Sequence, residues 1–268
     1  MPTDVRPKKS SYVFDNAMPQ AKARFATVAE MYDPGTVRHL TELRVGPGWR
    51  CLEVGGGGGT IAGWLCDRVG PAGEVTATDI DTRFLQRLAK ANLKVQQHDI
   101  VVDPLPESFF DLVHTRLVLM HITEREGVLR RLVSALKPGG WILAEEFDSL
   151  SVRSDPSANP VESSFKTFDV MYEVMASRGV ELRYGRLLAG QMRNLGLAEI
   201  AAEGRAFMWQ GRSAAAEMYR ANIEQLRGAI LSTERITDDE IDDDLTRLED
   251  RDSAFPSPIM WAVWARRP

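Results

Sequence analysis

The sequence predicts an α/β fold built on a mostly parallel sheet, and three observations support this. Between residues 49 and 148, short apolar runs of strand length alternate with segments of helix length. The strand-like runs are rich in Val, Leu and Ile, which is typical of a parallel sheet with helices on both faces. Five glycines follow the first run, at the turn into a helix. A chain of 268 residues, 44% of them hydrophobic, can bury an ample core without disulfides or metals.

The elements of this core can be taken in chain order. The predicted strands are Trp49–Val54, Glu74–Asp79, Lys94–His98, Phe110–His114 and Trp141–Phe147, and the predicted helices are Thr60–Val69, Asp81–Ala91 and Glu124–Leu136. Ligands of such sheets bind at the carboxyl ends of the strands, near the point where the strand order reverses. We therefore look for the functional residues just after each strand.

Four segments make up the predicted organisation. Residues 1–44 form a polar tail and two helices, which are separated at Asp33-Pro34-Gly35 because a proline favours the first turn of a helix. The cofactor-binding core covers residues 45–148, and a helical substrate cap covers residues 149–196. Residues 197–268 complete the sheet and carry inserted helices, in the order strand Leu197–Glu203, helix Ser213–Leu231, acidic helix Asp238–Asp250 and strand Ile259–Ala265.

Charge and composition narrow the class of partner. The net charge of −5 disfavours non-specific binding to nucleic acid and to anionic membranes, so a small-molecule partner is expected. Two cysteines in apolar surroundings are typical of a reducing compartment. No stretch approaches the roughly 18 apolar residues that span a bilayer, and the first residues lack the apolar core of a secretion signal. We expect a cytoplasmic protein, and the sequence leaves a homodimer open.

No metal site is expected. The acidic run from Thr237 to Asp244 invites a metal, but Thr237 and Glu240 have the spacing of a capping box. In that helix Ile241, Leu245 and Leu248 make an ordinary buried stripe. The four histidines, at positions 39, 98, 114 and 121, also lack the spacing of metal motifs.

The glycine run is the strongest functional signal. Glu53 precedes residues 55–59, and Asp79 ends the next predicted strand, where its carboxylate can accept both hydroxyls of a ribose. Five glycines in a row are costly unless the backbone turns sharply against a ligand. Gly57-x-Gly59-x-x-Ala62 also satisfies the loose dinucleotide pattern, so a nicotinamide cofactor stays open on this motif alone.

The order of motifs along the chain carries a resemblance. The motifs are Glu53-x-Gly55-x-Gly57-x-Gly59, Ala77–Asp81, His98-Asp99-Ile100, Phe110–Arg116 and Leu136–Trp141. This series resembles the class I methyltransferases that use S-adenosylmethionine, especially bacterial small-molecule methyltransferases of natural-product pathways. The resemblance covers residues 45–148 well and the final two strands more loosely. It implies a Rossmann-like, mostly parallel seven-stranded sheet with an antiparallel last strand and a helical cap, with S-adenosylmethionine as the cofactor.

The resemblance also implies roles for individual residues in cofactor binding. The methionine part of the cofactor would lie beside Glu53, Gly55, Gly57 and the backbone of Thr115, the ribose beside Asp79, and the adenine beside Ile80, Asp99 and Ile100. Asp99 would accept from the adenine amino group, although a strand-end cap on a nearby backbone amide is the alternative. Tyr12 and Phe14 precede the first helix and would cover the cofactor and the substrate as a lid, or else staple that helix.

Methyl transfer mainly needs the nucleophile, the methyl carbon and the sulfur in line, and a base only if the acceptor must lose a proton. Glu145 and Glu146 point to opposite faces of a strand. We expect Glu146 to face the methyl group because it lies nearer the strand end. His114 and His121 are further catalytic candidates, with simple packing as the alternative. Arg116 would contact substrate or pair with an internal carboxylate.

Aromatic residues after the fifth strand are candidates for the substrate pocket. Phe165, Phe168, Tyr172 and Met175 recur at spacings of three and four, which puts them on one helical face that is either core or pocket wall. Trp209 would extend that wall. The sequence thus predicts methylation of an aromatic or apolar small molecule at O, N or C, an indole-type secondary metabolite among the options. The alternatives are a nicotinamide-dependent oxidoreductase and a cofactor-binding regulator without chemistry.

Overall fold

The structure is a computed structural model that describes residues 20–152 and 165–268. The main sheet contains β1 (Arg50–Val54), β2 (Glu74–Asp79), β3 (Leu93–Gln97), β4 (Phe110–Arg116), β5 (Leu136–Asp148), β6 (Ala198–Arg205) and β9 (Ile259–Arg266), and β7 (Met208–Gln210) pairs with β8 (Ala254–Pro256) in a second, two-stranded sheet. The helices are α1 (Gln20–Glu42), α2 (Thr60–Val69), α3 (Arg125–Ala135), α4 (Lys166–Ser177), α5 (Tyr184–Asn194), α6 (Ala214–Leu231) and α7 (Asp238–Glu249). Short 3₁₀ turns cover Leu85–Arg87, Leu119–His121 and Ser149–Val152.

The order of the main sheet is β3-β2-β1-β4-β5-β9-β6. The pairs β1·β2, β1·β4, β2·β3 and β4·β5 are parallel, whereas β9 runs antiparallel to both of its neighbours. The predicted Rossmann-like fold, with seven strands and an antiparallel last strand, is confirmed. The strand order reverses between β1 and β4, which opens a crevice at the carboxyl ends of these strands.

Helix α1 runs without a break through Pro34, so the prediction of two helices separated at residues 33–35 is wrong. A proline inside a helix removes one backbone hydrogen bond, and its ring crowds the preceding turn. Tertiary contacts compensate here. Asp33 pairs with Arg116 on β4, and the fully buried Thr36 bonds to Glu145 on β5. The helix therefore continues because both sides of the proline are tied to the sheet.

The helix predicted over Asp81–Ala91 is also wrong, since only the 3₁₀ turn Leu85–Arg87 forms there. Asp81 instead accepts from the backbone and the guanidinium of Arg83, which fixes a local turn. Leu85 is fully buried and, with Leu88, packs against the glycine run. Contact with the loop, rather than a regular helical face, decides the conformation of this segment.

The helices that follow β5 lie in two places. Helix α5 packs on β5, β6 and β9, and so belongs to the layer that covers the sheet. Helix α4 packs against α6 and α7, and α6 also contacts α1, so these helices form a separate cover at one end of the sheet. The predicted capping box at Thr237 and Glu240 begins α7. No helix within the described residues is long and apolar enough to cross a membrane.

Candidate functional site

A cavity of about 1000 Å³ opens at the carboxyl ends of the central strands. One end is formed by the glycine loop, the ends of β1 and β2 and the segment after β3, and the other by α4 and α6, while α1 and the turn after β4 form the sides. Small-molecule sites typically occupy about 300–1,000 Å³, so this cavity can hold two ligands of moderate size side by side.

The glycine loop runs close to its neighbours. Gly55, Gly57 and Gly59 have φ angles of 69°, 48° and 84°, in the left-handed region that side chains other than glycine adopt with strain. A Cβ added to Gly55 would lie 2.2 Å from Cγ2 of Val118, and one added to Gly59 would lie 2.5 Å from Cδ1 of Leu88. The loop thus needs glycine both for its turn and for its contacts, and its bare backbone lines the cavity.

Four carboxylates at or just after the ends of β1, β2 and β3 line the cavity: Glu53, Asp79, Asp81 and Asp99. Oδ2 of Asp79 accepts from the Gly57 amide at 2.9 Å, and its Oδ1 accepts from the Asp81 amide at 3.0 Å. These bonds fix the carboxylate against the loop and leave lone pairs for a ligand. Burial raises the pKa of Asp79, and the two backbone donors oppose that shift.

Asp99 makes the backbone cap that the sequence left open as one of its two alternatives. Its Oδ1 caps the backbone amide of Val101 at 2.9 Å, and within the described part of the chain its Oδ2 has no hydrogen-bond partner. Ile80 and Val102, which are 40% and 56% exposed, also line the cavity, as does the buried Ile100. Exposed apolar side chains beside an acceptor carboxylate suit a flat ring that carries a donor group.

Helix α1 covers the glycine loop with residues that the sequence analysis missed. The ring of Phe25 lies over Gly57 and Gly58 and meets the ring of Phe84 edge-on, with 5.4 Å between ring centroids. Arg24 and Val28 line the cavity beside it. In the sequence these residues have the spacing of an ordinary amphipathic helix, and nothing in that spacing indicates that they lie at the site.

The far end of the cavity is largely apolar. Its wall comes from two helices, with Met171, Tyr172 and Met175 from α4 and Met218, Tyr219, Asn222, Gln225 and Leu226 from α6. The hydroxyls of Tyr172 and Tyr219 are hydrogen-bonded at 2.7 Å. Tyr172 was expected at the pocket, whereas the α6 residues were missed. The side-chain amides of Asn222 and Gln225 interrupt the apolar stripe of that helix, and this was the feature of the sequence that could have indicated a pocket there.

Phe168 and Trp209 do not reach this wall, so their predicted contact with substrate is wrong. Both are buried in an aromatic cluster with Phe165, Tyr219 and Phe255. The rings of Phe165 and Phe168 stack with 4.7 Å between centroids. The helical stripe of α4 therefore divides between core and cavity, because α6 and the β7·β8 pair cover one edge of it.

Glu146 is turned away from the cavity, which contradicts its predicted role as the base that faces the methyl group. Its Oε1 accepts from the amides of Val118 and Leu119 at 3.1 and 2.7 Å, and its Oε2 accepts from Met120 at 3.3 Å. Burial raises the pKa of Glu146 to about 8, and the backbone donors oppose that rise. The carboxylate shapes the turn after β4 and does not meet a ligand.

His114 is also removed from direct catalysis, because it is fully buried behind the cavity wall. Its Nδ1 lies 2.6 Å from Oε2 of Glu53, and its Nε2 lies 3.2 Å from Oε2 of Glu145. Burial lowers the pKa of His114, but the two carboxylates outweigh it and raise the value to about 9. The same contacts, with burial opposing them, hold the pKa of Glu145 below its usual range.

The turn after β4 places the remaining candidates. Thr115 was expected to present its backbone to the cofactor, but it is fully buried and paired within the sheet. The cavity wall begins at the next residue, Arg116. Arg116 lines the cavity but donates to Asp33 at 2.8 Å, which confirms the internal-carboxylate alternative. Leu117 has a φ of 55°, an uncommon value for a branched residue, and turns the chain towards the cavity.

His121 does line the cavity. Burial lowers the pKa of His121 to about 4, with smaller contributions from Arg24 and Arg125, so the imidazole is neutral near pH 7. The predicted lid residues Tyr12 and Phe14 lie outside the described residues. Of the three catalytic candidates that the sequence suggested, His121 is therefore the one that borders the cavity.

Comparisons with known proteins agree with this geometry. The family described as "Methyltransferase domain" matches residues 52–144. The ubiquinone/menaquinone biosynthesis C-methyltransferase UbiE of Bordetella parapertussis is 30% identical over 227 residues, which cover 72% of this chain and 87% of that protein. The UbiE of Ectopseudomonas mendocina is 35% identical over 111 residues, 38% of this chain and 43% of that protein, so the chain spans less than half of that relative.

Solved structures show the same fold. Phosphoethanolamine N-methyltransferase 2 of Haemonchus contortus, in complex with S-adenosyl-L-methionine, superposes with a TM-score of 0.60 at 16% identity, over 97% of this chain and 60% of that one. A Bacillus halodurans methyltransferase gives a TM-score of 0.54 at 18% identity, over 86% of this chain and 98% of that one.

Fold and relatives define a protein that uses S-adenosylmethionine as its cofactor. The chain belongs to the class I S-adenosylmethionine-dependent methyltransferases. The residues present suit this cofactor, because a bare glycine backbone and four carboxylates face one cavity, beside exposed apolar side chains. The cofactor offers matching donors in its ribose hydroxyls, adenine amino group and ammonium. A nicotinamide-dependent oxidoreductase and a regulator without chemistry are not favoured.

Proposed function

We propose that the protein transfers the methyl group of S-adenosylmethionine to an aromatic or apolar small molecule. One observation carries this proposal: a single cavity joins the end built from glycines and carboxylates to an apolar end built from α4 and α6. When bound, the cofactor supplies a methyl group already activated on a sulfonium. The protein has mainly to align an acceptor atom with that methyl group and to exclude water.

The polar end would hold the cofactor through acceptor groups. Glu53 faces the ammonium of the methionine part, Asp79 accepts from the ribose hydroxyls, and the unpaired Oδ2 of Asp99 accepts from the adenine amino group. Ile80 and Ile100 pack on the adenine ring, and the backbone of Gly55 and Gly57 approaches the methionine part. The cavity-lining positions of these residues support the assignment. An amino group buried without an acceptor would cost about 1–3 kcal/mol, which favours Asp99 in this role.

The apolar end would hold the acceptor. Methionine side chains adapt to varied apolar shapes, and the two tyrosines offer flat faces to a ring. The Tyr172–Tyr219 hydrogen bond uses one of two hydroxyl protons, so the other can be donated to a ligand. Oδ1 of Asn222 is buried and lacks a partner within the described residues, so it can accept from a ligand. An aromatic acceptor that carries a hydroxyl or an amine meets both requirements.

The acceptor atom we favour is a ring carbon. The UbiE relatives are named as C-methyltransferases of ubiquinone and menaquinone biosynthesis, which are aromatic quinone pathways. An electron-rich indole ring, as in a natural-product pathway, presents similar chemistry to the same wall. The ring carbon forms its bond to the methyl group as the bond between methyl and sulfur breaks, and the proton on that carbon leaves to solvent in a later step. No base therefore has to contact the attacking carbon during transfer, which fits a cavity in which Glu146 and His114 are turned inwards.

His121 would orient the acceptor. A neutral imidazole can accept a hydrogen bond from a hydroxyl or an amine. With a pKa of about 4, however, His121 is a weak general base at pH 7. We therefore assign His121 to positioning the acceptor through its donor group. Substitution His121→Gln should raise the acceptor KM more than it lowers kcat.

The test measures formation of S-adenosylhomocysteine with a panel of acceptors. The panel contains an alkylated benzoquinol, an indole, a simple phenol and an aliphatic amine, and mass spectrometry locates the added methyl group. We expect the aromatic acceptors to be methylated and the amine to be inert. Turnover of the amine with no methylation of any aromatic acceptor would contradict the proposal, and a reaction without acceptor serves as the background.

A further inference from the structure

Behind the cofactor end of the cavity lies a chain of buried charged groups that methyl transfer does not itself require. It starts at Glu53, passes through His114 to Glu145, and continues through Thr36 to Arg116 and Asp33. Of its three carboxylates, Glu53 is the one that lines the cavity. A ligand that binds at the cavity wall can therefore interact with this series of charged groups through Glu53.

The imidazole of His114 has a defined protonation state in this arrangement. Both ring nitrogens face carboxylate oxygens, which can only accept hydrogen bonds. A neutral imidazole donates from one nitrogen and would direct the lone pair of the other at a carboxylate. The doubly protonated ring donates to Glu53 and to Glu145 at once, so the geometry favours an imidazolium.

Neighbouring groups on α1 leave that assignment unchanged. Nε2 of His39 lies 3.0 Å from the guanidinium of Arg38 and 3.7 Å from Oε2 of Glu203. Its Nδ1 lies 3.7 Å from Oε1 of Glu145. The ring of His39 thus lies 3.7 Å from each of two carboxylates, whereas His114 contacts Glu53 and Glu145 at 2.6 and 3.2 Å.

The charges of these hydrogen-bonded groups do not balance. Glu53, Glu145 and Asp33 contribute three negative charges, and the imidazolium of His114 and the guanidinium of Arg116 contribute two positive charges. One negative charge remains. Because a buried unbalanced charge is costly, the carboxylate that borders the cavity favours a cationic partner there.

We propose that His114 is a positioning residue: through its hydrogen bond it holds the Glu53 carboxylate aimed at the cavity, so that this carboxylate receives the cofactor's ammonium group. This inference rests on the proposed role of Glu53 at that group. His114 itself stays behind the wall and contacts no ligand. Its hydrogen bond fixes one oxygen of Glu53, which leaves Oε1 for the ligand.

The test compares two ligands by calorimetry: S-adenosylhomocysteine and its deamino analogue, in which the ammonium is replaced by hydrogen. The wild-type protein should bind S-adenosylhomocysteine at least about 10-fold more tightly than the analogue, since a hydrogen bond between charged groups is lost. In the His114→Gln variant this preference should fall below about 3-fold, mainly through weaker binding of S-adenosylhomocysteine. Affinity for the analogue should stay close to the wild-type value.

The matched control is Val113→Ala. Val113 precedes His114 on β4 and is fully buried on the opposite face of the sheet, so its truncation loosens the core without touching Glu53. The control should keep the wild-type preference between the two ligands. An unchanged preference in the His114→Gln variant would overturn the role of His114 alone, whereas no preference in the wild-type protein would overturn the role of Glu53 as well.

A second measurement needs no variant. Nitrogen NMR of the ligand-free protein, labelled at histidine, should show both ring nitrogens of His114 protonated at pH 7.5. A neutral tautomer of His114 at that pH would overturn the proposal. This result does not depend on which acceptor is methylated, so it can fail while the proposed function holds.

Discussion

At the scale of single residues, the carboxylates of this protein have separate tasks that their burial and partners define. Asp79 and Asp99 border the cavity and can still accept hydrogen bonds there, whereas both oxygens of Glu146 accept from backbone amides after β4. Glu145 is occupied by His114 and Thr36. Sequence motifs identify an acid at a strand end, but the partners of its oxygens decide whether it can meet a ligand.

Substitution Asp79→Asn should weaken cofactor binding. The neutral amide can no longer accept from two ribose hydroxyls, and one lost hydrogen bond to a charged group corresponds to about 1.5–3 kcal/mol, or about 10- to 150-fold in Kd. Calorimetry with S-adenosylhomocysteine measures this change. The matched control is Asp67→Asn on α2, where an exposed carboxylate pairs with Lys90. Equal affinities in the two variants would contradict the ribose assignment.

Substitution Glu146→Gln should change the pH dependence of stability. The pKa of Glu146 rises from about 4.5 in the unfolded chain to about 8 in the folded protein. Between these pH values the folded protein holds a proton that the unfolded chain has released, so the native state loses stability as pH rises. The variant carries no ionisable group there. Urea unfolding between pH 5 and 8.5 should show a smaller loss of stability than in the wild-type protein, and parallel curves would contradict the assignment.

At the scale of elements, α1 shows how tertiary contacts can override a local signal. Asp33-Pro34-Gly35 is a reasonable break in isolation, yet Thr36 and Arg116 join the helix to β4 and β5 directly after the proline. The helix also carries Phe25 to the glycine loop. One continuous element therefore covers the cofactor end of the cavity and is tied to the buried charges behind it.

Substitution Thr36→Val tests this connection. The change removes the hydroxyl that donates to Glu145 and accepts from Arg116, so each of these two charged groups loses one hydrogen-bond partner. We expect a loss of about 1–3 kcal/mol in the free energy of unfolding. Thr41→Val on the same helix is the control, because Thr41 is exposed and bonds only to the Val37 carbonyl, so its effect should stay within about 0.5 kcal/mol. Equal effects would contradict the role of the network.

At the scale of the whole molecule, buried titratable groups set limits on both sides of neutral pH. The pKa of His114 is raised to about 9, so its contribution to stability is complete below about pH 6.5 and is lost as pH rises through 9. The pKa of His121 is lowered to about 4, so its contribution is present above about pH 6.5 and is lost as pH falls through 4. The loss from Glu146 runs from about pH 4.5 to 8, so it opposes the effect of His121 below pH 6.5 and adds to the effect of His114 above it.

The free energy of unfolding should therefore change little between about pH 4.5 and 6.5, where the effects of His121 and Glu146 oppose each other, and should decline from pH 6.5 to 9. Urea unfolding at half-unit steps from pH 4.5 to 9.5 measures this profile. On the alkaline side, the His114→Gln variant should lose less stability between pH 6.5 and 9 than the wild-type protein, if it folds. A wild-type profile that stays flat from pH 6.5 to 9.5 would contradict the charged state of His114.

Much of the fold and the cofactor end of the site could be predicted because local sequence specifies them. Alternating strand and helix lengths indicate the parallel sheet, and a glycine run between acid-ended strands has few uses other than to approach a ligand. The positions of Glu53, Asp79 and Asp99 after their strands follow from the same pattern. The acceptor end was harder, because helical stripes such as Phe168 to Met175 look alike whether they face core or cavity.

The sequence alone determined the class of fold, the cofactor and the carboxylates that border its cavity, because each depends on residues that are close along the chain. Only the tertiary structure decided that Glu146 turns to the backbone, that His114 lies between two carboxylates, and that Tyr219 rather than Trp209 reaches the cavity. A period of two places Glu145 and Glu146 on opposite faces of β5 but does not say which face carries the cavity. That choice depends on contacts with the turn after β4, whose amides bond to Glu146, and no local pattern in β5 records them.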